Sequence, residues 1–140
     1  MTGNAQRLAQ FMERVWNGGD VAAVDDFLAE RYTIHSDPGD PWDGRTLSRE
    51  GFRQRLVMSR APFPDLRFDL GDVVADGDRV AVSWTLRGTQ TGPMAGRPAS
   101  GRAISVQGMT IYYFEGGRIA GHRQVVDRLA VVQQLGLTDG

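Results

Sequence analysis

The sequence predicts an α+β fold, one curved antiparallel sheet wrapped on helices, with elements in the order ααβα-ββββ-α. Three observations predict it. Apolar residues through Leu56 and Val57 recur with helical spacing, whereas from Leu66 onward the period becomes that of long strands. Asp76-Gly77 and Gly116-Gly117 are two-residue hairpin signals that join those strands as antiparallel neighbours. Helices segregated ahead of a meander give two layers, each with one apolar face, and the two faces bury one another.

The first helix rests on Leu8, Phe11, Met12, Val15 and Trp16, a stripe at i, i+3, i+4, i+7 and i+8, and Asn17-Gly18-Gly19 ends it. Asp20 caps a second helix with Val21, Val24, Phe27 and Leu28 inward. A short strand follows at Arg31 to His35. The run Asp37-Pro38-Gly39-Asp40-Pro41-Trp42-Asp43-Gly44 then reads as a turn-rich loop. Ser48 caps a third helix with Phe52, Leu56 and Val57 inward, and Pro62 and Pro64 stop it. Strands are expected at Leu66 to Val74, Arg79 to Thr91, Ala103 to Phe114 and Arg118 to Val126. A glycine- and proline-rich loop spans Gly92 to Arg102. Asp127 caps a final helix with Leu129, Val132 and Leu135 inward, closed by Gly136.

A chain of 140 residues suits a single domain, residues 1–140, with a core that needs no metal or disulfide. Its 41% apolar and 24% charged content is that of a soluble globular protein, and its net charge of −1 offers nothing to attract nucleic acid or a membrane surface. The absence of cysteine excludes disulfides, thiolate metal sites and a cysteine nucleophile. Met1 to Asp20 lacks the apolar run of a secretory signal, and no stretch is long and apolar enough to span a bilayer, so a cytoplasmic location is expected.

Several local words, in order, resemble the SnoaL-like polyketide cyclase family of the nuclear-transport-factor-two-like superfamily over nearly the whole chain. They are Phe11 to Asp20, Tyr32-Thr33-Ile34-His35, Val80 to Thr85 running into Gly88-Thr89-Gln90-Thr91-Gly92, Gly108-Met109-Thr110 through Tyr113-Phe114, Gly116-Gly117-Arg118-Ile119, and Val126-Asp127-Arg128-Leu129 to Gln133-Gln134-Leu135-Gly136. The resemblance implies a cone with a pocket for a small hydrophobic molecule between sheet and helices, and frequent homodimers through the sheet. It implies cofactor-free acid/base chemistry, an aldol-type cyclisation or isomerisation of a carbonyl compound such as a polyketide. It also admits an epoxide hydrolase-like enzyme or a non-catalytic binding or dimerisation domain, since fold alone fixes no function. No metal or cofactor is implied.

The family pattern reads Glu-His-Trp-Asp in the last strand, where the aspartate is the acid/base. Here the matching residues are Gly121-His122-Arg123-Gln124: the histidine is kept and an amide, which cannot take up a proton at neutral pH, replaces the aspartate. Because His122 and Gln124 lie two apart, they share one strand face. His122 titrates nearest neutral pH and can replace the missing acid, with Gln124 beside it as a catalytic candidate that polarises the substrate. His35, on the first strand, is the second candidate base. Asp127 is a third, although its place before a helix favours a capping role. Trp84, Tyr112, Met109 and Trp16 are candidate ligand contacts, with packing into the core as the competing role, as it is for Met12 and Met58. Arg123 falls on the opposite face to His122. An epoxide hydrolase arrangement of two aspartates about an arginine would instead need Arg123 and Asp127 to face the pocket. Asp37, Asp40 and Asp43 have neither calcium-loop spacing nor a completing ligand and read as a solvated turn.

Overall fold

The computed structural model describes residues 3–137, so Met1 and Thr2 of the leading segment lie outside it. Helix α1 (Gly3–Phe11) continues as a wider π-helical segment, Met12–Asn17, and the whole predicted stripe from Leu8 to Trp16 is buried. Asp20 accepts hydrogen bonds from the backbone N–H groups of Ala22 and Ala23 and so starts a short 3-10 turn (Val21–Ala23) and α2 (Val24–Phe27). Strand β1 (Leu28–Ser36) begins earlier than expected. Leu28 is therefore buried on a strand, not on a helix, and Val21, expected inward, is exposed.

Helix α3 (Arg49–Arg60) is capped by Ser48, whose hydroxyl accepts from Gly51 N–H. Its inward face carries Phe52, Arg55 and Leu56. That i, i+3, i+4 triplet rotates Val57 and Met58 into solvent, where both are exposed, contrary to the inward expectation for Val57 and the core expectation for Met58. An arginine thus occupies a core position.

The remaining strands are β2 (Thr46–Ser48), β3 (Arg67–Asp76), β4 (Arg79–Thr89), β5 (Ala103–Glu115) and β6 (Arg118–Val126). They form one six-stranded sheet in the order β2-β1-β6-β5-β4-β3. The meander β3 to β6 is antiparallel as expected, but β1 pairs with β6 in parallel, so the sheet is mixed. No hairpin links β1 to β6, so turn chemistry does not set their direction. The three-residue edge strand β2 is too short to leave an alternation signal in the sequence.

Cross-strand register puts Trp84, Gly108 and Val126 in one row of the inner face, Thr110 and Gln124 in the next, and Tyr112 and His122 in a third. A Cβ on Gly108 would stand 2.3 Å from the Trp84 ring, so this position gives the indole its space. Two apolar clusters close the interior. The larger joins the first helices to the sheet, and the smaller joins Phe63, Leu66 and Ile104 to Leu135 after α4 (Arg128–Gln134). Leu129, expected inward, is exposed. Buried Gln90 ties the loop after β4 at its base, donating to the carbonyls of Gly92 and Pro98 and accepting from Ser100 N–H.

Candidate active site

Between the helices and the inner sheet face lies a cavity of about 380 Å³, within the size range of small-molecule sites. Trp16, Phe68, Trp84 and Leu86 supply apolar wall, and Tyr32, Tyr112, His122, Gln124, Arg55 and Asp40 supply the polar side. A shallower groove of about 700 Å³ runs along the outer side of β3 to β6, away from the buried polar groups.

A carboxylate that the turn reading left in solvent organises the polar side. A register shift between Ile34 and Ser36 releases β1 from strict alternation just before Asp37. The following turn then holds Asp37: its N–H donates to Asp43 Oδ1 at 2.7 Å, and its carbonyl accepts from Asp40 N–H at 2.9 Å. Asp37 is fully buried. His122 Nε2 lies 2.9 Å from Asp37 Oδ2, and Gln124 Nε2 donates to the same oxygen at 3.1 Å. Arg55 Nη2 bridges Asp37 Oδ2 at 3.5 Å and Asp40 Oδ2 at 3.2 Å. Arg128 donates from Nη2 to Asp37 Oδ1 at 3.2 Å and from Nε to the Pro38 carbonyl at 2.7 Å, clamping the turn from outside.

The direction of every hydrogen bond follows from the two ends of this network. Trp84 Nε1 can only donate, and it donates to Thr110 Oγ1 at 2.9 Å. Thr110 then donates to Gln124 Oε1 at 2.7 Å, which leaves the Gln124 amide nitrogen to donate to Asp37. The Asp37 carboxylate can only accept, so His122 carries its proton on Nε2. His122 Nδ1 is then an acceptor, and Tyr32 Oη, 2.5 Å away, donates to it.

Ionisation follows the same logic. Burial alone would raise the Asp37 pKa. The His122 hydrogen bond and the charges of Arg55 and Arg128 outweigh it and hold the group below the ordinary aspartate value. Burial lowers the His122 pKa, helped by the Arg55 charge and opposed by Asp37, so the imidazole is neutral at neutral pH. Burial raises both Tyr32 and Tyr112 above the ordinary phenol value. Tyr112 Oη donates to the Met12 thioether sulfur at 3.5 Å, a weak acceptor.

The predicted residues separate cleanly. His122 and Gln124 share the inner face, and Trp16, Trp84 and Tyr112 line the cavity with them. His35 does not join them. Tyr32 and Ile34 point inward, so strand alternation turns His35 to the outer face, exposed, with its ring against Tyr113 at 4.9 Å. Met109 is likewise on the outer face and exposed, one residue out of phase with Thr110. Asp127 accepts from Ala130 N–H at 3.0 Å and caps α4. Arg123 is exposed, so it and Asp127 do not assemble an arginine–aspartate site in the cavity. Sequence reasoning missed Asp37, Arg55, Tyr32 and Asp40. Arg55 had a signal, its i+3 spacing from Phe52, and Tyr32 had one in its alternation with Ile34.

A family model described as SnoaL-like polyketide cyclase matches residues 6–135. A candidate polyketide cyclase of known structure from Acidithiobacillus ferrooxidans is 41% identical, with 99% of each chain covered and a TM-score of 0.92. IdmH, a candidate polyketide cyclase from Streptomyces antibioticus, is 29% identical over 95% of this chain and 98% of its own, with a TM-score of 0.81. TsrD from Streptomyces laurentii is 31% identical over 95% of this chain and 94% of its own, with a TM-score of 0.78. No curated protein matches the sequence. Among the described residues, no helix is long and apolar enough to cross a membrane.

Proposed function

Because the chain belongs to the SnoaL-like polyketide cyclase family, we propose that it is a cofactor-free enzyme acting on a hydrophobic carbonyl compound, one that moves a proton at the carbon beside the carbonyl to drive an aldol-type cyclisation or an isomerisation. One observation carries this reading: the hydrogen-bonded chain Asp37–His122–Tyr32 stands in the wall of a largely apolar cavity. A general base must be unprotonated at working pH and have a partner that stabilises its protonated form. Lowered by burial, the His122 pKa supplies the first, and the ionised Asp37 supplies the second.

Gln124 stands where the family pattern has its acid/base aspartate. Here the carboxylate comes from the other side, at the end of β1, and Gln124 orients it by donating a hydrogen bond. The electron pair of the broken C–H bond moves into a new C=C bond, and the carbonyl becomes an enolate oxygen. Tyr112 is suited to hold that oxygen, because its hydroxyl exchanges a weak sulfur acceptor for a strong anionic one. Exposed Val74, Met109, Ile111 and Val125 on the sheet's outer face support a homodimer through the sheet. We place the protein in the cytoplasm, without nucleic-acid or membrane partners.

The test uses 2-tetralone, a planar enolisable ketone, with α-proton exchange into D2O followed by NMR. The wild-type protein is expected to exceed the buffer rate, with a rate that falls as pH drops below the ordinary histidine range. His122→Ala should lose about two to four orders of magnitude of the protein-dependent rate. An unchanged rate in His122→Ala would remove the base from the reading.

The ion triad Asp37–Arg55–Asp40 favours a second reading, an epoxide hydrolase-like enzyme in which a carboxylate activates water and the other carboxyl serves the opening oxygen. Diol release from an apolar epoxide, lost in Asp40→Asn, would select it.

A further inference from the structure

Both nitrogens of His122 are committed inside the protein. Nε2 faces the buried Asp37 carboxylate at 2.9 Å, and Nδ1 faces Tyr32 Oη at 2.5 Å. The neutral ring has one lone pair, on Nδ1, and the Tyr32 hydroxyl occupies it; the two side chains are about equally buried, His122 at 2% and Tyr32 at 1% exposed. The reverse tautomer is excluded, because it would set the Nε2 lone pair against an ionised carboxylate. Tyr32 lines the cavity beside His122, and its oxygen, which uses its proton toward His122, keeps a lone pair for another donor.

We propose that Tyr32 is the catalytic residue that meets the substrate, passing the proton between the substrate carbon and His122 Nδ1. This inference rests on the acid/base reading above. In one concerted step the C–H bond breaks, its proton goes to Tyr32 Oη, and the Tyr32 proton goes to His122 Nδ1. The C–H electron pair enters the new C=C bond of the enolate. Tyr32 is neutral before and after, and the positive charge rests on the imidazolium beside Asp37. Burial makes a free tyrosinate at this position costly, so the two transfers must be coupled. Asp37 and Gln124 are positioning residues in this scheme, acting through His122.

Tyr32 also packs on Phe52, with ring centroids 4.9 Å apart, and Tyr32→Phe keeps that ring while removing the oxygen. With 2-tetralone exchange as the assay, Tyr32→Phe is expected to lose at least about a hundredfold in rate, the lower end for a proton-transfer group. Naphthalene affinity should stay near that of the wild type, while the melting temperature falls by a few degrees because His122 Nδ1 loses its buried partner. Rate plotted against deuterium fraction in the solvent should bow for the wild type, as two protons move together. If Tyr32→Phe stays within tenfold of the wild type while His122→Ala is inactive, His122 meets the substrate itself and the relay is overturned. A wild-type protein with no exchange above buffer overturns the acid/base reading, and the relay with it. If Tyr32→Phe loses naphthalene binding, a second variant decides: 3-fluorotyrosine at position 32 should change the rate at preserved affinity, and an unchanged rate overturns the relay.

Discussion

Replacing Gln124 by glutamate tests the electrostatic centre of the site, because the change is isosteric and adds one charge. Gln124 Nε2 is 3.1 Å from Asp37 Oδ2, so Gln124→Glu brings a carboxylate oxygen to that distance from a buried carboxylate. At an effective dielectric constant of about 20, two unit charges 3.1 Å apart repel by about 5 kcal/mol, equivalent to about four pH units. Arg55 and Arg128 offset part of this, and the cluster is expected to hold one extra proton with an apparent pKa between about 6 and 8. Ordinary glutamate titrates near about 4.3, so the folded state binds more protons than the unfolded state across that window. Stability of the variant, relative to wild type, is therefore retained near pH 4 and lost as pH rises, by about 1.4 kcal/mol per pH unit and about 2–5 kcal/mol in total. Urea unfolding of both proteins at intervals from pH 4 to pH 8 measures the difference. A difference that stays flat would mean that position 124 does not face Asp37, and the network would be wrong.

The remaining predictions concern the reacting ends. Tyr112→Phe should slow 2-tetralone exchange by about 10- to 100-fold, from loss of one neutral donor to the enolate, and leave naphthalene binding unchanged, as measured by the same NMR assay and by titration. The wild-type exchange rate should hold to lower pH than an ordinary histidine would allow, because burial depresses the His122 pKa. A pH–rate profile from pH 5 to pH 8 shows the midpoint, and one above the ordinary histidine value would contradict it.

Much of the fold was legible because it depends on local periodicity. The stripe from Leu8 to Trp16 is buried as spaced, and Asp20, Ser48 and Asp127 each accept the N–H bonds expected of helix caps. Strand parity put His122 and Gln124 on one face, and they share it. The same parity, applied to Tyr32 and Ile34, would have turned His35 outward, and applied to Thr110 and Tyr112 it would have turned Met109 outward.

Asp37 was not legible, for a different reason. Locally, Asp-Pro-Gly builds a turn, and the turn is there. What buries Asp37 is a set of side chains 18, 85, 87 and 91 residues away: Arg55 comes from α3, and His122, Gln124 and Arg128 are brought to it by the parallel pairing of β1 with β6. That pairing has no turn signal of its own, so no window of sequence contains both the carboxylate and its partners. Arg55 was hidden differently, since a charged residue on an apolar helical face is discounted unless its counter-ions are already known.

The most direct measurement is the 15N NMR spectrum of His122 in the wild-type protein, followed from pH 8 down to pH 5. Donation from Tyr32 to Nδ1 and from Nε2 to Asp37 requires a neutral ring protonated on Nε2 at neutral pH, with protonation displaced below the ordinary histidine range. Observation of that tautomer, and its loss of the Nδ1 signature in Tyr32→Phe, is the expected result. A ring protonated on Nδ1, or an imidazolium already present at pH 7, would contradict the hydrogen-bond chain from which the function is argued.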